Sequence, residues 1–572
     1  MTIFYQEYRN RVRIVFFTFI FLIIIVCVRL FFIHIIYNDI NINKVNKLLI
    51  KNQKLNGERG LIFDRNGSYL ARNLRAYTFI VDTENHYDRE KIVRLFSETF
   101  NRSKSYYQLK LDRKSNGIIL EQNVPSYDCK TILDSTFTGL TKNYKTIRNY
   151  PYKELAAQVI GYSNDENIGI TGIESIFNSS LEGGKGEKTL VRWNGYIHES
   201  LYDESHLPTE GYDITLTLDM KLQCILQDEI LKICKKSNAE IVNGIILNPF
   251  SGEILAMGTV PTLDLNKYSE YPIGNHRNTS IVDSYEPGST FKIIALAAGL
   301  EEGIINENDI YYCHNGKYQV HDLVLTDHKK HEYLTVNEIL MHSSNIGIAK
   351  IVEKYNSKLI LKYAQKFGFG SKTGIQLPGE SAGILNPISN WSLVSNAYIS
   401  IGQEINSTIL QTAMAYSAIA NGGYLIKPQI LKNITTSNEI LFENEPIVIR
   451  KVISENTSMR MISMLENVVE NGSATTAQID GYKLAGKTGT SETFIDGKLS
   501  KKYISSFAGI FPSDNPEYVC IISIINPTTT NAMHFGGVSA APTVKNIFQK
   551  IITELDNITP YTPKSYVGNT KI

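Results

Sequence analysis

The chain has 572 residues, which is too long for a single hydrophobic core and predicts two or more domains. Its 58 lysines and arginines nearly balance its 57 aspartates and glutamates, and 43% of its residues are hydrophobic. This composition is typical of a folded protein and argues against nucleic acid as the main partner.

The segment 14–37 is apolar and is interrupted mainly by Arg29 and His34. It is long enough to span a bilayer as a helix. The basic residues that precede it are Arg9, Arg11 and Arg13. Because positive charge favours the cytoplasmic side, residues 1–13 are predicted to be a cytoplasmic tail and the rest of the chain to lie outside. A cleaved signal peptide is the alternative, but the segment ends in FFIHIIYNDI, without small residues at a cleavage site.

Residues 38–208 are predicted to form a mixed domain with a mechanical role, holding another domain away from the membrane. A polar helical stalk is predicted at 41–54. An Asn-Gly turn at 66–67 lies between two short apolar runs, which predicts a β-hairpin. This region contains no glycine-rich phosphate loop and no cluster of acidic and basic residues suited to catalysis.

Residues 209–555 are predicted to form an α+β domain, followed by a polar tail at 556–572. The predicted strands are 212–219, 243–247, 253–258, 483–492, 504–511 and 518–525. The predicted helices are 220–235, a helix-rich block at 289–420, and 541–555. Strands at both ends with helices between them indicate one antiparallel sheet closed by the termini of the domain, with helices on both faces.

Ser289 and Lys292 are the first candidate catalytic pair. Within EPGSTFKIIALAAGL, Pro287-Gly288 breaks the chain and an apolar helix is predicted to follow. Ser289 would lie at the helix start, where free N–H groups and the positive dipole end favour an oxyanion. Lys292 would lie one turn away and could take the serine proton if burial destabilises its ammonium form. The alternative is a helix-capping serine followed by a surface lysine.

Ser343 and Asn345 are a second candidate pair, two residues apart in HSSN. A loop could direct both side chains into one cleft, the hydroxyl as a proton relay and the amide as a ligand for a substrate amide.

The tripeptide Lys-Thr-Gly occurs twice, at 372–374 and at 487–489. The first copy follows a predicted helix and is interpreted as part of a structural loop. The second lies in β-rich sequence, where small residues on a strand beside a cleft would let a peptide substrate pair with the backbone. There, Lys487 would provide positive charge for a substrate carboxylate, and the hydroxyls would come from Thr488 and Thr490.

The ordered motifs STFK (289–292), SSN (343–345) and KTGT (487–490) resemble those of the penicilloyl-serine transferases, which include the penicillin-binding proteins and the serine β-lactamases. RGLIFDRNGSYLA (59–71), RNYPYKELAAQVIGY (148–162) and GITGIE (169–174) resemble the non-catalytic, dimerisation-type pedestal of the class B enzymes. Glu286 and the overall sequence resemble most closely the division type, the FtsI or penicillin-binding protein 3 family. The elongation type is the alternative.

This resemblance implies a penicillin-binding, serine β-lactamase-like transpeptidase domain and a peptidoglycan D,D-transpeptidase acting at the septum. The catalytic residues it implies are Ser289, Lys292, Ser343, Asn345 and Lys487. The substrate-binding residues it implies are Thr488, Gly489 and Thr490. It also implies an oxyanion site at the backbone N–H groups of Ser289 and Thr490.

The resemblance also implies partners and a location. The ligands would be stem peptides of lipid II-derived glycan strands and β-lactam antibiotics. The protein partners would be a membrane-embedded glycan polymerase of the FtsW type and other division proteins. The location would be the inner membrane, with the catalytic domain in the periplasm.

Three alternatives use the same motifs: a D-Ala-D-Ala carboxypeptidase, a β-lactamase-like hydrolase, and a non-catalytic β-lactam receptor or scaffold. A separate possibility, a zinc site in the Cys- and His-rich span 313–331, is disfavoured because the spacings match no zinc knuckle. We predict no cofactor.

Overall fold

The structure is a computed structural model that describes residues 2–36, 50–115, 117–193, 196–199, 206–321, 323–436, 438–495, 498–528 and 532–555. The predicted tail 556–572 lies outside these residues. Residue contacts divide the chain into two compact units. One comprises residues 1–58 and 183–211, and the other comprises residues 59–182 and 212–572.

The first unit begins with a long apolar helix, Thr2–Phe31, followed by a π-helical turn at Phe32–Ile36. Its segment Tyr8–Phe31 has a mean hydropathy of 3.0 and is long enough to cross a membrane. The helix starts well before the predicted boundary at residue 14, because the polar residues that precede the apolar run continue the same helix. The predicted end at Tyr37 lies outside the described residues.

The first unit also contains a three-stranded antiparallel sheet. Its central strand, Lys185–Trp193, pairs with Ile50–Asn56 on one side and with Tyr196–Glu199 on the other. The predicted helical stalk is therefore wrong for residues 50–54, which form a strand. Residues 41–49 of that stalk lie outside the described part of the chain.

The second unit contains a seven-stranded sheet that includes the predicted hairpin. Strand Ile62–Phe63 pairs antiparallel with Tyr69–Val81, as the Asn-Gly turn predicts, and parallel with Asp213–Leu216. Asp64 fixes the turn by accepting hydrogen bonds from the backbone N–H groups of Asn66 and Ser68. The other strands are Ile118–Pro125, Leu140–Asn149, Leu431–Thr435 and Ile440–Glu443.

A five-stranded antiparallel sheet forms the centre of the second unit and confirms the predicted sheet closed by both ends of the domain. In spatial order its strands are Ile254–Val260, Ile241–Leu247, Tyr518–Ile525, Lys498–Phe511 and Ala485–Ile495. The helices Met220–Ser237 and Ala540–Glu554, both predicted, pack against it. The helix Ile409–Ala420 is largely apolar and is completely buried.

The remaining elements frame the site and the N-terminal part of the unit. In the part after residue 212, which we call the catalytic part, the other helices are Thr279–Val282, Lys292–Glu301, Val336–His342, Asn345–Val352, Ser357–Lys366, Ser395–Ser400 and Glu455–Glu470. In the part between residues 59 and 182, which we call the N-terminal part, the helices are Arg89–Phe100, Lys104–Leu111, Lys130–Leu133, Ala157–Ile160, Gly172–Ile176 and Asn178–Leu181. Short strand pairs are Ile310–Tyr312 with Tyr333–Thr335, Lys317–Val320 with Leu323–Thr326, Ile384–Leu385 with Ile405–Asn406, and Tyr424–Ile426 with Val448–Lys451.

One hydrophobic core joins residues on both sides of the predicted domain boundary at 208. It extends from Ile62 and Leu70 in the hairpin to Ile551 in the last helix. A smaller, separate core surrounds Phe79 and Phe96. The predicted pedestal therefore contributes one part to the main core and keeps another part with a core of its own.

Candidate active site

A cleft of about 600 Å³ lies beside the edge strand Ala485–Ile495. Its lining includes five of the residues that the motifs single out: Ser289, Ser343, Asn345, Thr488 and Thr490. Three segments far apart in the sequence therefore meet in one cleft, which is what the ordered motifs predict.

The turn that carries Ser289 is held in place by a buried helix behind it. It is a short 3₁₀-helix, Gly288–Phe291, that leads directly into the helix Lys292–Glu301. The hydroxyl of Tyr416, on the buried helix behind the turn, donates to the carbonyl of Thr290 at 2.9 Å. Gly288 has φ +55°, a conformation that favours glycine, so the sequence break before Ser289 has a structural reason. Ser289 is thus displayed at a helix start, as predicted.

Lys292 is completely buried beneath the cleft. Its ammonium donates to the Ser343 carbonyl at 2.6 Å, to Ser343 Oγ at 3.2 Å and to Asn345 Oδ1 at 2.7 Å. Burial lowers its pKa to about 7, against a smaller opposing effect of the Asp327 carboxylate. Among the described residues none of its hydrogen bonds reaches Ser289, so the expected Ser289–Lys292 contact is replaced by contacts to the SSN motif.

Lys487 approaches the same hydroxyl from the other side and is also completely buried. Its ammonium donates to Ser343 Oγ at 2.9 Å and to the Thr488 carbonyl at 3.0 Å. Burial and, less strongly, the Lys292 ammonium hold the pKa of Lys487 well below its ordinary value. Its ammonium lies beneath the cleft wall that includes Ser343 and Thr488, and its role towards a substrate carboxylate stays a prediction.

Of the three residues after Lys487, two line the cleft and one faces the turn that carries Ser289. Thr488 and Thr490 line the cleft. Gly489 faces the turn that carries Ser289: a Cβ at Gly489 would lie 2.9 Å from Thr290 Cγ2 and 3.1 Å from the Pro287 carbonyl oxygen. The expectation that the backbone at Gly489 pairs with substrate stays a prediction. Its lack of a side chain lets the edge strand and the turn come close together.

Asp327 is a site residue for which the motifs gave no functional signal. Its carboxylate accepts hydrogen bonds from the Ser344 hydroxyl and from the backbone N–H groups of Asn345, at 2.6 Å, and Ile346, at 3.1 Å. These N–H groups are the free donors at the start of the helix Asn345–Val352. Only its acidic side chain could have suggested this role, since its partners are 17 to 19 residues away.

Ser343 adopts the left-handed conformation, with φ +60°, where the helix Val336–His342 ends. Non-glycine residues in this conformation are uncommon, and they concentrate at functional sites. The reversal of the chain at Ser343 brings its side chain between the two lysines.

The first Lys-Thr-Gly copy has the structural role predicted for it. It lies in the loop after the helix Ser357–Lys366. The Glu380 carboxylate accepts hydrogen bonds from the backbone N–H groups of Thr373, at 2.7 Å, and Gly374, at 3.1 Å. This pairing closes the loop on itself.

The Cys- and His-rich span 313–331 contributes to the cleft wall. His328 lines the cleft and contacts the Phe535 ring edge to face, with 5.6 Å between the ring centroids. His331 stacks on His342 at 4.6 Å. Within the described residues, no group of three or more His, Cys, Asp or Glu side chains is arranged to hold a metal ion.

Two family models match the chain. The penicillin-binding protein transpeptidase domain matches residues 244–549, more than half of the chain, and the penicillin-binding protein dimerisation domain matches residues 54–216. The chain belongs to the class B penicillin-binding proteins. Its membership agrees with the resemblance drawn from the three motifs and from the segments of the N-terminal half.

Relatives within this penicillin-binding protein family cover most of the chain. Stage V sporulation protein D of Bacillus subtilis is 33% identical over 88% of this chain and 79% of its own length. Peptidoglycan D,D-transpeptidase FtsI of Buchnera aphidicola subsp. Baizongia pistaciae is 30% identical over 97% of both chains. Among solved structures, penicillin-binding protein 3 of Mycobacterium tuberculosis complexed with aztreonam matches with a TM-score of 0.69 and 27% identity, covering 89% of this chain and 99% of that chain.

Proposed function

We propose that this chain is a peptidoglycan D,D-transpeptidase that cross-links stem peptides ending in D-Ala-D-Ala through an acyl-enzyme on Ser289. The observation that carries the proposal is the Ser343 hydroxyl, which lies within hydrogen-bond distance of two buried lysines in the cleft that displays Ser289. The relative named a peptidoglycan D,D-transpeptidase and the solved relative with aztreonam support the same chemistry.

In the acylation step, Ser289 Oγ attacks the carbonyl of the penultimate D-Ala. Lys292 receives the serine proton, because its lowered pKa leaves a substantial neutral fraction near pH 7. The backbone N–H groups of Ser289 and Thr490 stabilise the tetrahedral oxyanion, and one such donor is typically worth about 3 kcal/mol.

Ser343 passes a proton to the nitrogen of the leaving D-Ala as the C–N bond breaks. Once Lys292 has taken the serine proton, its ammonium can donate to Ser343 Oγ while Ser343 donates its own proton, which suits a relay. Asn345 holds the donor peptide, and the hydroxyls of Thr488 and Thr490 bind its terminal carboxylate. Lys487 supports this wall from beneath through its hydrogen bonds to Ser343 Oγ and the Thr488 carbonyl.

In the second step, the amine of another stem peptide attacks the acyl carbonyl, Lys292 takes its proton and returns it to Ser289 Oγ, and the ester bond breaks to leave the cross-linking amide and free Ser289. Hydrolysis by water would use the same groups and is the second candidate, corresponding to a carboxypeptidase or a slow β-lactamase. The large N-terminal part and the apolar helix favour cross-linking, because an enzyme anchored in a membrane with a large non-catalytic part is typical of the cross-linking penicillin-binding proteins.

A fluorescent penicillin tests the acyl-enzyme directly. Full-length protein in detergent is expected to form a stable covalent adduct that is abolished in Ser289→Ala. The matched control is Ser357→Ala, another serine next to a helix start, which should label like wild type. Rapid loss of the label would favour the hydrolase, and labelling of Ser289→Ala would refute the proposed nucleophile.

The proposal also includes location and cellular role. The arginines at the N-terminal end of the apolar helix, Arg9, Arg11 and Arg13, support a cytoplasmic N-terminus, with the cleft in the periplasm. The relatives named FtsI support a role in division, beside a membrane-embedded glycan polymerase of the FtsW type contacted partly through the anchor helix. Depletion is expected to produce filaments with incomplete septa, whereas rounded cells would favour the elongation type.

A further inference from the structure

A row of four aromatic rings lies on the small strand pairs next to the SSN motif. Successive ring centroids are separated by 5.1 Å from Tyr333 to Tyr312, by 4.5 Å from Tyr312 to His314, and by 4.5 Å from His314 to Tyr318. Tyr333 is 60% exposed and Tyr312 is 40% exposed. We call these four residues the aromatic row. It presents large aromatic side chains to solvent that the proposed chemistry does not use.

The backbone in the middle of the row is strained. His314 and Asn315 have φ values of +48° and +51°, and Gly316 follows with +86°. Three consecutive residues in the left-handed region are unusual, because only glycine adopts this region without steric cost. This conformation places the His314 ring between two tyrosines. Such strain concentrates at functional sites, where the surrounding structure maintains it.

The end of the row is fixed by charged groups. The Lys350 ammonium lies 3.8 Å from the centroid of the Tyr318 ring, and the Tyr318 hydroxyl donates to Glu353 at 2.5 Å. The charges of Lys350 and Glu353 compensate each other at the Tyr318 end of the row, and the exposed rings of the row are those of Tyr312 and Tyr333. Exposed tyrosines suit a ligand with both apolar and hydroxyl-rich surfaces.

The row is continuous with the cleft wall. The backbone N–H of Cys313 donates to the Glu332 carbonyl at 2.7 Å, and that of Asp327 donates to the Gly316 carbonyl at 3.2 Å. These bonds attach the middle of the row to the loop whose residues His328 and Lys329 line the cleft. The row is therefore attached directly to a loop that forms part of the cleft wall.

We propose that the aromatic row binds the sugar rings of the glycan strand that carries the stem peptide, an inference that rests on the proposed function. Sugar rings have C–H-rich faces, which the negative faces of aromatic rings attract, and hydroxyl edges, which polar neighbours can bind. Because the peptide is covalently attached to the strand, binding the strand beside the cleft raises the effective concentration of the peptide at Ser289.

The glycan is tested separately from the peptide. Full-length protein in detergent is titrated with glycan strands from which an amidase has removed the stem peptides. We expect Tyr312→Ala and Tyr333→Ala each to weaken binding by about tenfold, and the double variant more. Control variants are Tyr127→Ala, a tyrosine that is likewise 60% exposed, and Tyr424→Ala, at 39%; both should bind like wild type.

Fluorescent penicillin labelling, measured on the same samples, separates this inference from the proposed function. Labelling at the wild-type rate in the row variants, together with reduced strand binding, supports the row as a glycan site. Wild type that does not bind peptide-free strands, or row variants that bind them normally, would overturn it even if penicillin labels Ser289. Row variants that lose only binding to a purified division protein would assign the surface to a protein and also overturn it.

Discussion

At the scale of single residues, the site depends on one hydroxyl shared by two amines. Ser343 Oγ lies 3.2 Å from Lys292 Nζ and 2.9 Å from Lys487 Nζ. Two buried ammonium ions so close to each other are unfavourable, and the pKa of each lysine is lowered. The same burial that makes the pair costly provides a neutral lysine at physiological pH.

The pKa of Lys292, about 7, predicts how acylation depends on pH. A base must be unprotonated, so the rate should fall as pH decreases below 7 and level off above it. The measurement is the second-order rate of fluorescent penicillin labelling at constant ionic strength. Lys292→Arg should remove the activity, since a guanidinium stays protonated. A rate that is constant across pH 7 in wild type would exclude Lys292 as the base.

Asp327 provides a second prediction at this scale. Asp327→Asn removes a charged acceptor of three hydrogen bonds at the SSN motif and should reduce the plateau rate of acylation by about tenfold. The Asp327 charge also raises the pKa of Lys292, so its loss should move the acid limb of the pH profile to lower pH.

The control for Asp327→Asn is Glu332→Gln, an exposed carboxylate in the same loop. It should leave both the plateau and the acid limb unchanged. If Asp327→Asn lowers the rate equally at all pH values, the carboxylate orients the motif but has no electrostatic effect on Lys292.

The sequence identified the residues that carry the chemistry but not the contacts between them. Short motifs selected Ser289, Ser343 and Lys487. Each motif keeps its functional residue at a fixed position relative to its sequence neighbours, within a helix start, a loop or a strand. The pairing of Lys292 with Ser343 depends on how the helices Lys292–Glu301 and Val336–His342 approach each other, which no local pattern encodes. The role of Asp327 was not predicted for the same reason, because its contacts to the SSN motif also depend on the fold.

At the scale of elements, the edge strand Ala485–Ile495 and the turn at Ser289 are fitted closely together. The fit is possible because Gly489 and Gly536 have no side chains: a Cβ at Gly536 would lie 2.5 Å from the Gly489 carbonyl oxygen. The strand is thus fixed between the turn on one side and the loop with Gly536 on the other.

Gly489→Ala should therefore impair catalysis without removing any reactive group. Its Cβ would lie 2.3 Å from Ser506 Oγ and 2.9 Å from Thr290 Cγ2, so the turn that carries Ser289 must shift. Overpacking of this kind costs about 1–3 kcal/mol, and part of that cost should appear as a slower acylation rate. Gly274→Ala is the control, since a Cβ there would meet nothing within 4 Å. Normal acylation by Gly489→Ala would show that the turn tolerates displacement.

Elements with a strong local pattern were predicted and those without one were not. The helix Met220–Ser237 and the strands Ile241–Leu247 and Tyr518–Ile525 follow from apolar periodicity. The strand Ile50–Asn56 has a polar, lysine-rich sequence, IKNQKLN, that is compatible with a helix. It becomes a strand by pairing with Lys185–Trp193, about 130 residues later in the chain.

At the scale of the whole molecule, the hairpin region belongs to the structure that supports the site. The backbone N–H of Arg65 donates to the Leu218 carbonyl at 2.9 Å, and that of Met220 donates to the Asp64 carboxylate at 3.2 Å. Met220 is the first residue of the helix that packs against the five-stranded sheet. A disturbance of the hairpin region should therefore reach the catalytic part through the shared core.

A buried ion network tests this coupling. Glu174, which is completely buried, accepts hydrogen bonds from Arg59 and Arg148, each at 2.7 Å, and from the Tyr150 hydroxyl at 3.2 Å. Removal of one member of a buried ion pair leaves the others unpaired and costs about 3–5 kcal/mol. Glu174→Ala should lower the free energy of unfolding by that amount, as measured by denaturation in urea.

Penicillin labelling measured along the same denaturation curves shows how far the effect extends. Because the residues around the network share the main core with the catalytic part, Glu174→Ala should lose labelling at a lower urea concentration than wild type. Asp165→Ala, an exposed carboxylate in the same region, should lose it at the wild-type concentration. If Glu174→Ala unfolds the N-terminal part at low urea while labelling persists to the wild-type midpoint, the two parts unfold independently and the shared core does not couple them.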